Sequence, residues 1–262
     1  MTVSRALDRR FERALTVAAA AGALAMTSRP PPGAPASATL KGAQDWLTEV
    51  DGAVERFLSD ELAAAFPEDG FQGEEGGVAR AGGLRWVVDP IDGTANFMRG
   101  APRFCVSLAL LEDRTPLIGV LVAPALGETF AAHRGHGATL NGAPIRAATT
   151  ADLTRAIIEV GWSPRRPNAA FEALHRRILN SGAMLRLGGS GALGLADVAA
   201  GRTDGYVELH INLWDVAAAL VILDEAGAAT NDFMAGDGPT GGNPIRAAAP
   251  GIAAALTALS GF

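Results

Sequence analysis

Lysine, cysteine and tyrosine are nearly absent from this chain. The single cysteine, Cys105, cannot close an internal disulfide, which suits a reducing, cytoplasmic compartment. Its apolar setting, RFCVSLALL, favours an inert core thiol over a nucleophile. Long apolar runs are missing too. The run from Ala14 to Met26, ALTVAAAAGALAM, falls short of the about 20 residues that span a bilayer. Positive charge is not in excess: the formal net charge is −6, which argues against a general grip on nucleic acid through phosphate neutralisation. The four histidines (His133, His136, His175, His210) fall at unrelated spacings and read as structural or surface residues, and no His or Cys cluster points to zinc.

What is present is the composition of a soluble globular protein: 262 residues, 48% hydrophobic and 19% charged, enough for one large domain or two packed halves. Arg9, Arg10 and Arg13 ahead of the Ala-rich run, with ASA at Ala36 to Ala38, imitate a secretion signal. A partly buried first helix accounts for the same residues, ending before SRPPPGAPASA, whose prolines cannot continue it.

From Asp51 the apolar positions Val54, Phe57, Leu58 and Leu62 follow helical spacing. LRWVVD, VSLALLED and LIGVLVAPALGETFAAHRG then read as strands, and GATLNGAPIR as a hairpin turning at Asn-Gly. In the second half strands (AIIEVGW, AMLRLGG, TDGYVELH) alternate with helices (NAAFEALHRRILNSG, SGALGLADVAAGR, LWDVAAALVILDEAGA), the pattern of an α/β layer. This predicts a mixed α/β fold with a boundary near residue 146: helices and a largely antiparallel sheet in 1–146, an α/β half in 147–262, packed as one unit.

The stretch WVVDPIDGTANF, Trp86 to Phe97, poses the chemical question. A buried strand runs into Asp89, then a Pro and Asp-Gly turn carrying Asp92. Two carboxylates three residues apart at a strand end repel unless a cation lies between them, and oxygen donors suit Mg²⁺. Alternatively the two acids merely shape the turn. GEE at Gly73 to Glu75 lies just upstream, and Asp215 opens an apolar helix, where an acid is ordinarily a cap or first-turn residue. Together the three acidic motifs point to a metal centre.

DPIDGTANF, preceded by GEE and followed by WDVAAALVILDEAGA, resembles the inositol monophosphatase family of Mg²⁺-dependent, lithium-sensitive phosphatases. The resemblance runs from about Lys41 to Gly227. It implies a layered αβαβα sandwich of the sugar-phosphatase type, assembled as a homodimer. It further implies that Glu74, Asp89 and the Ile91 carbonyl hold a first Mg²⁺, that Asp89, Asp92 and Asp215 hold a second, and that a weaker third ion rests on Glu74. Thr94 and Asp51 become the pair that orients and deprotonates the attacking water, although Asp51 also reads as a helix N-terminal acid. Gly93 and Thr94 present amides to phosphate. Lys41, the one lysine among 22 basic residues, stands where the family places an active-site lysine.

For the substrate alcohol the resemblance points to Gly189, Ser190, Gly191 and Glu208, near Asp215, with Arg186 on substrate or the dimer partner. The expected activity is hydrolysis of inositol-1-phosphate or a similar polyol phosphate. Asn212, where animal inositol phosphatases carry histidine, and a stretch from Lys41 to Asp51 about one residue shorter weaken an inositol preference. Histidinol-phosphatase is the rival activity. A bisphosphate nucleotidase is disfavoured, since Tyr206 is the only tyrosine and no aromatic platform for adenine stands out. Some bacterial relatives bind the transcription machinery, the competing non-enzymatic reading.

Overall fold

A computed structural model of the chain describes residues 3–33, 39–42, 45–47 and 49–262. The Ala-rich start is a helix, α1 (Val3–Thr27), longer at its front than the apolar run. It buries Ala14, Val17, Ala18, Ala21 and Ala25, one stripe at helical spacing. After the proline stretch comes a short antiparallel ribbon, β1 (Thr39–Gly42) with β2 (Asp45–Leu47). Then comes α2 (Glu49–Ala65), burying Val54, Leu58 and Leu62.

An eight-stranded sheet follows, built from β3 (Gly70–Gly73), β4 (Gly77–Arg80) and β5 (Leu84–Asp92), then, after the short helix α3 (Thr94–Met98), β6 (Cys105–Glu112). It continues through β7 (Thr115–Ala123), β8 (Glu128–His133), β9 (Ala138–Leu140) and β10 (Ala143–Pro144). Every pairing is antiparallel except β3 with β5. At the β9–β10 turn Asn141 and Gly142 both take positive φ, 51° and 80°, as the tight hairpin read from Asn-Gly requires.

The second half supplies β11 (Ile157–Val160), α4 (Asn168–Asn180), β12 (Met184–Arg186), α5 (Gly191–Ala199), β13 (Gly205–Ile211) and α6 (Leu213–Glu225). The tail adds β14 (Ala229–Thr230), α7 (Gly238–Gly241), β15 (Asn243–Ala248) and α8 (Ala253–Ser260). The five-stranded sheet runs β12-β11-β13-β15-β14; the first three are parallel, and β15 is antiparallel to both neighbours.

Three apolar cores fix the layers. α1 and α2 cover one face of the large sheet through Leu58, Trp86 and Leu108. α5 and α6 lie between the sheets among Val87, Leu195 and Ile222. α4 and α8 cover the far face of the small sheet with Ile158, Leu174 and Leu256. The result is the αβαβα sandwich. Because α6 is enclosed, its apolar character extends around the whole helix instead of forming one stripe. It comes so near β7 that a Cβ at Gly119 would sit 2.1 Å from the Ala218 carbonyl oxygen.

Candidate metal centre and substrate cleft

β5 does not stop at Asp89, as the Pro and Asp-Gly turn predicts; the strand runs on to Asp92. The reason is a bulge. Asp89 stands opposite Ser107 and Asp92 opposite Cys105, so β5 spends three steps where β6 spends two. Pro90 falls inside that break, where its missing N–H leaves no ladder bond unmade. Residues three apart on a regular strand face opposite sides. The extra residue turns Asp92 back toward the side of Asp89. Gly93 then takes φ +90°, and a Cβ there would meet the Arg103 carbonyl oxygen at 3.0 Å.

Asp215 arrives from α6, in whose first turn it stands. Its Oδ2 accepts a hydrogen bond from the Asn212 amide at 3.0 Å, as a first-turn acid should. It also joins Asp89 and Asp92, each offering an oxygen within 4.8 Å of the others. Ser107 of β6 donates to the Trp214 carbonyl at 3.0 Å and fastens the helix start to the strand beside Asp89.

Glu74 sits in the turn between β3 and β4, its amide bonded to the Val88 carbonyl at 3.1 Å. Spacing alone did not mark what holds this turn. The buried Glu55 carboxylate accepts the Glu75 amide at 2.9 Å and the Gly76 amide at 2.7 Å. A sign was available: Glu55 is one helical turn beyond Asp51, an acid on the buried face of α2.

The LGGSG loop plays a different part from the one expected. The Ser190 hydroxyl donates to Asp92 Oδ2, and the amides of Ala192 and Gly191 donate to the same carboxylate at 3.0 and 3.2 Å. Ser190 therefore braces an acid of the cluster, and with Gly189 and Gly191 it lines the cleft beside it. Arg186, expected on substrate or a dimer partner, is engaged within the chain by Glu159 at 3.1 Å and Asp197 at 3.2 Å.

The charge left in the cluster is large. Burial pushes the Asp89 carboxyl well above the usual range, and the charges of Glu74, Asp215 and Asp92 push it further. Asp215 is pushed up to about 7, by burial first and Asp92 second. Burial raises Asp92 as well, against the pull of Ser190 and the two amides. Cys105, within 3.8 Å of Asp92, has its thiol pushed well up by burial and by Asp92 and Asp89, in keeping with an inert core residue.

A cleft of about 540 Å³ opens on the cluster, lined by Glu74, Asp92, Gly93, Thr94, Gly189, Ser190, Gly191, Glu208 and Asp215 among others. The Thr94 hydroxyl donates to the Ile91 carbonyl at 2.9 Å. Asp51, in the first turn of α2, is 1% exposed. Lys41 lies in β1, and its side chain falls outside the described residues. Buried Glu208 accepts the Tyr206 hydroxyl at 2.6 Å, and burial raises its carboxyl to about 8. A Cβ at Gly161 would fall 2.2 Å from that carboxylate, so the absent side chain keeps this end of the cleft open.

Known proteins share this arrangement of chain. A family model described as the inositol monophosphatase family matches residues 7–259. A Nus factor SuhB of Xylella fastidiosa is 41% identical over 201 residues, covering 76% of this chain and 73% of its own length. A fructose-1,6-bisphosphatase/inositol-1-monophosphatase of Thermotoga maritima is 40% identical over 192 residues, 73% of each chain. The solved structure of a Thermotoga maritima IMPase aligns with a TM-score of 0.86 at 32% identity, over 97% of both chains.

Proposed function

The chain belongs to the inositol monophosphatase family, a family of phosphoric monoester hydrolases, and we propose that it is a Mg²⁺-dependent phosphomonoesterase acting on inositol-1-phosphate or a similar small polyol phosphate. The observation that carries this reading is the meeting of Asp89, Asp92 and Asp215 beside a cleft that Asp92 and Asp215 line together with Glu74 and Glu208. The residues fit a hard divalent cation. Their donors are carboxylate and carbonyl oxygens, and the buried acids push one another's carboxyls upward, as groups lacking a counter-charge do.

In this reading Glu74, Asp89 and the Ile91 carbonyl hold one Mg²⁺, Asp89, Asp92 and Asp215 a second, and Glu74 a weaker third. Bound there, Mg²⁺ supplies positive charge to the phosphate and makes water more acidic. The chain's own groups do the rest. Thr94, placed at the turn by its bond to the Ile91 carbonyl, orients the attacking water, and Asp51 takes its proton. The amides of Gly93 and Thr94 face the phosphate oxygens, with Lys41 completing the charge around them. Glu208, Asp215 and the backbone of Gly189 to Gly191 receive the alcohol. A Glu208 carboxyl that keeps its proton at neutral pH donates to one hydroxyl as well as accepting from another.

The test is turnover on a panel of inositol-1-phosphate, histidinol phosphate and fructose 1,6-bisphosphate, with Mg²⁺ present, absent, and challenged by millimolar lithium. Fastest Mg²⁺-dependent, lithium-inhibited release from the inositol ester supports the proposal. Preference for histidinol phosphate moves it to the rival activity, and no release from any ester with Mg²⁺ overturns it. A second reading, regulatory binding to the transcription machinery, is favoured by relatives in Xylella fastidiosa and Escherichia coli named Nus factors. Purified RNA polymerase and antitermination factors retained by the immobilised chain support it; their passing through unbound counts against it. A cytoplasmic homodimer is the expected form, and light scattering at twice the 26.8 kDa chain mass checks the dimer.

A further inference from the structure

His133, His136 and Asp8, scattered in the sequence, meet in the fold. Each offers a ligand atom within 4.8 Å of the other two, and none lines the cleft. His133 Nε2 stands 3.6 Å from Asp8 Oδ1, and the two imidazole centroids are 3.8 Å apart. Ligand atoms around a tetrahedral ion, each about 2.0–2.1 Å from the metal, are separated by about 3.4 Å, so this spacing needs only small side-chain adjustment.

Two further observations single the trio out from an ordinary surface group. Among the described residues, His133 Nε2 is buried with no hydrogen-bond partner, a state that costs about 1–3 kcal/mol unless a cation or donor answers it. The turn carrying the pair is also fixed from behind. Gly135 and Gly137 take positive φ, 85° and 77°, and both of their amides donate to the Glu225 carboxylate at 2.6 Å. The His136 amide donates to the His133 carbonyl at 3.1 Å. Burial and the neighbouring His136 hold the His133 imidazole below its usual pKa, with Asp8 and Glu225 opposing.

We propose that Asp8, His133 and His136 form a second metal site, one for a transition ion such as Zn²⁺, which ties α1 to the turn after β8. Two imidazoles and one carboxylate form a zinc-type donor set, unlike the all-oxygen set of the cleft. His136 is exposed, so the ion has a route in, and a water can complete its shell.

The probe is Zn²⁺ itself, added to the full chain with Mg²⁺ at millimolar excess to fill the cleft, with Co²⁺ as a spectroscopic stand-in. The expected result is one tightly held Zn²⁺ per chain that excess Mg²⁺ does not displace, a rise in Tm on its addition, and cobalt absorption of four-coordinate intensity. His136→Gln changes an exposed side chain outside the cleft, so Mg²⁺-dependent turnover should match that of the unmodified chain. Its Zn²⁺ affinity should fall more than about 10-fold and the Tm rise should vanish. Asp8→Asn should weaken binding in the same direction. Equal Zn²⁺ affinity in the unmodified chain and His136→Gln overturns the proposal, as does failure to retain any Zn²⁺ against Mg²⁺.

Discussion

Replacing Glu55 with glutamine tests whether the acidic cluster depends on a residue outside it. The Glu55 carboxylate accepts two amides, those of Glu75 and Gly76, at 2.9 and 2.7 Å, and so holds the turn that carries Glu74. Glutamine keeps the shape but has one acceptor; its NH₂ must face the second amide, donor against donor. One charge-assisted bond is worth about 1.5–3 kcal/mol, so urea denaturation without Mg²⁺ should show a loss of that order. The turn then wanders, and with it Glu74. A group that steadies a metal ligand typically contributes 10- to 100-fold in affinity, so half-maximal activation should require about 10 to 100 times more Mg²⁺. The decisive comparison is made in a Glu74→Gln background, where Glu55→Gln should cost little further Mg²⁺ affinity because the supported ligand has gone. Glu55→Gln with unmodified Mg²⁺ activation, or with the same penalty in both backgrounds, refutes the argument.

Asp51→Asn and Thr94→Ala should each bind Mg²⁺ nearly as the unmodified chain does, seen by calorimetry, yet lose most of their turnover; near-normal kcat in either removes it from the proton path. Glu208 gives a pH signature. Its carboxyl sits at about 8 folded against an ordinary 4.5, so between those values the folded state holds a proton that the unfolded state has released. Its contribution to stability is intact below about 4.5 and is lost as pH rises toward 8. In EDTA, Glu208→Gln should therefore lose less stability than the unmodified chain between pH 6 and 8.5, and parallel profiles would deny the shift.

Much of this molecule is legible from its sequence because periodicity and turn chemistry act locally. The helical spacing of Val54, Leu58 and Leu62 becomes the buried stripe of α2, and Asn141-Gly142 becomes the hairpin turn. The acidic motifs drew attention because Asp89 and Asp92 crowd one short stretch. The bulge did not show itself. It depends on how β5 registers with β6, a relation between distant segments that Pro90 only permits. Ser190 illustrates the same limit: a hydroxyl in a glycine loop fits a substrate contact or a brace equally well until Asp92 is seen beside it. Histidines without regular spacing looked unrelated because their third partner, Asp8, belongs to the opening helix.

The bare backbone of Gly119 has a consequence for how such a chain can change over time. It sets how deeply the central rod seats against β7, and that rod carries Asp215 at its tip. A single methyl added there would lever the rod outward and swing the acid away from its two counterparts. Layer thickness and the aim of Asp215 are thus one quantity, so drift in this part of the interior would disturb the packing and the acidic cluster together.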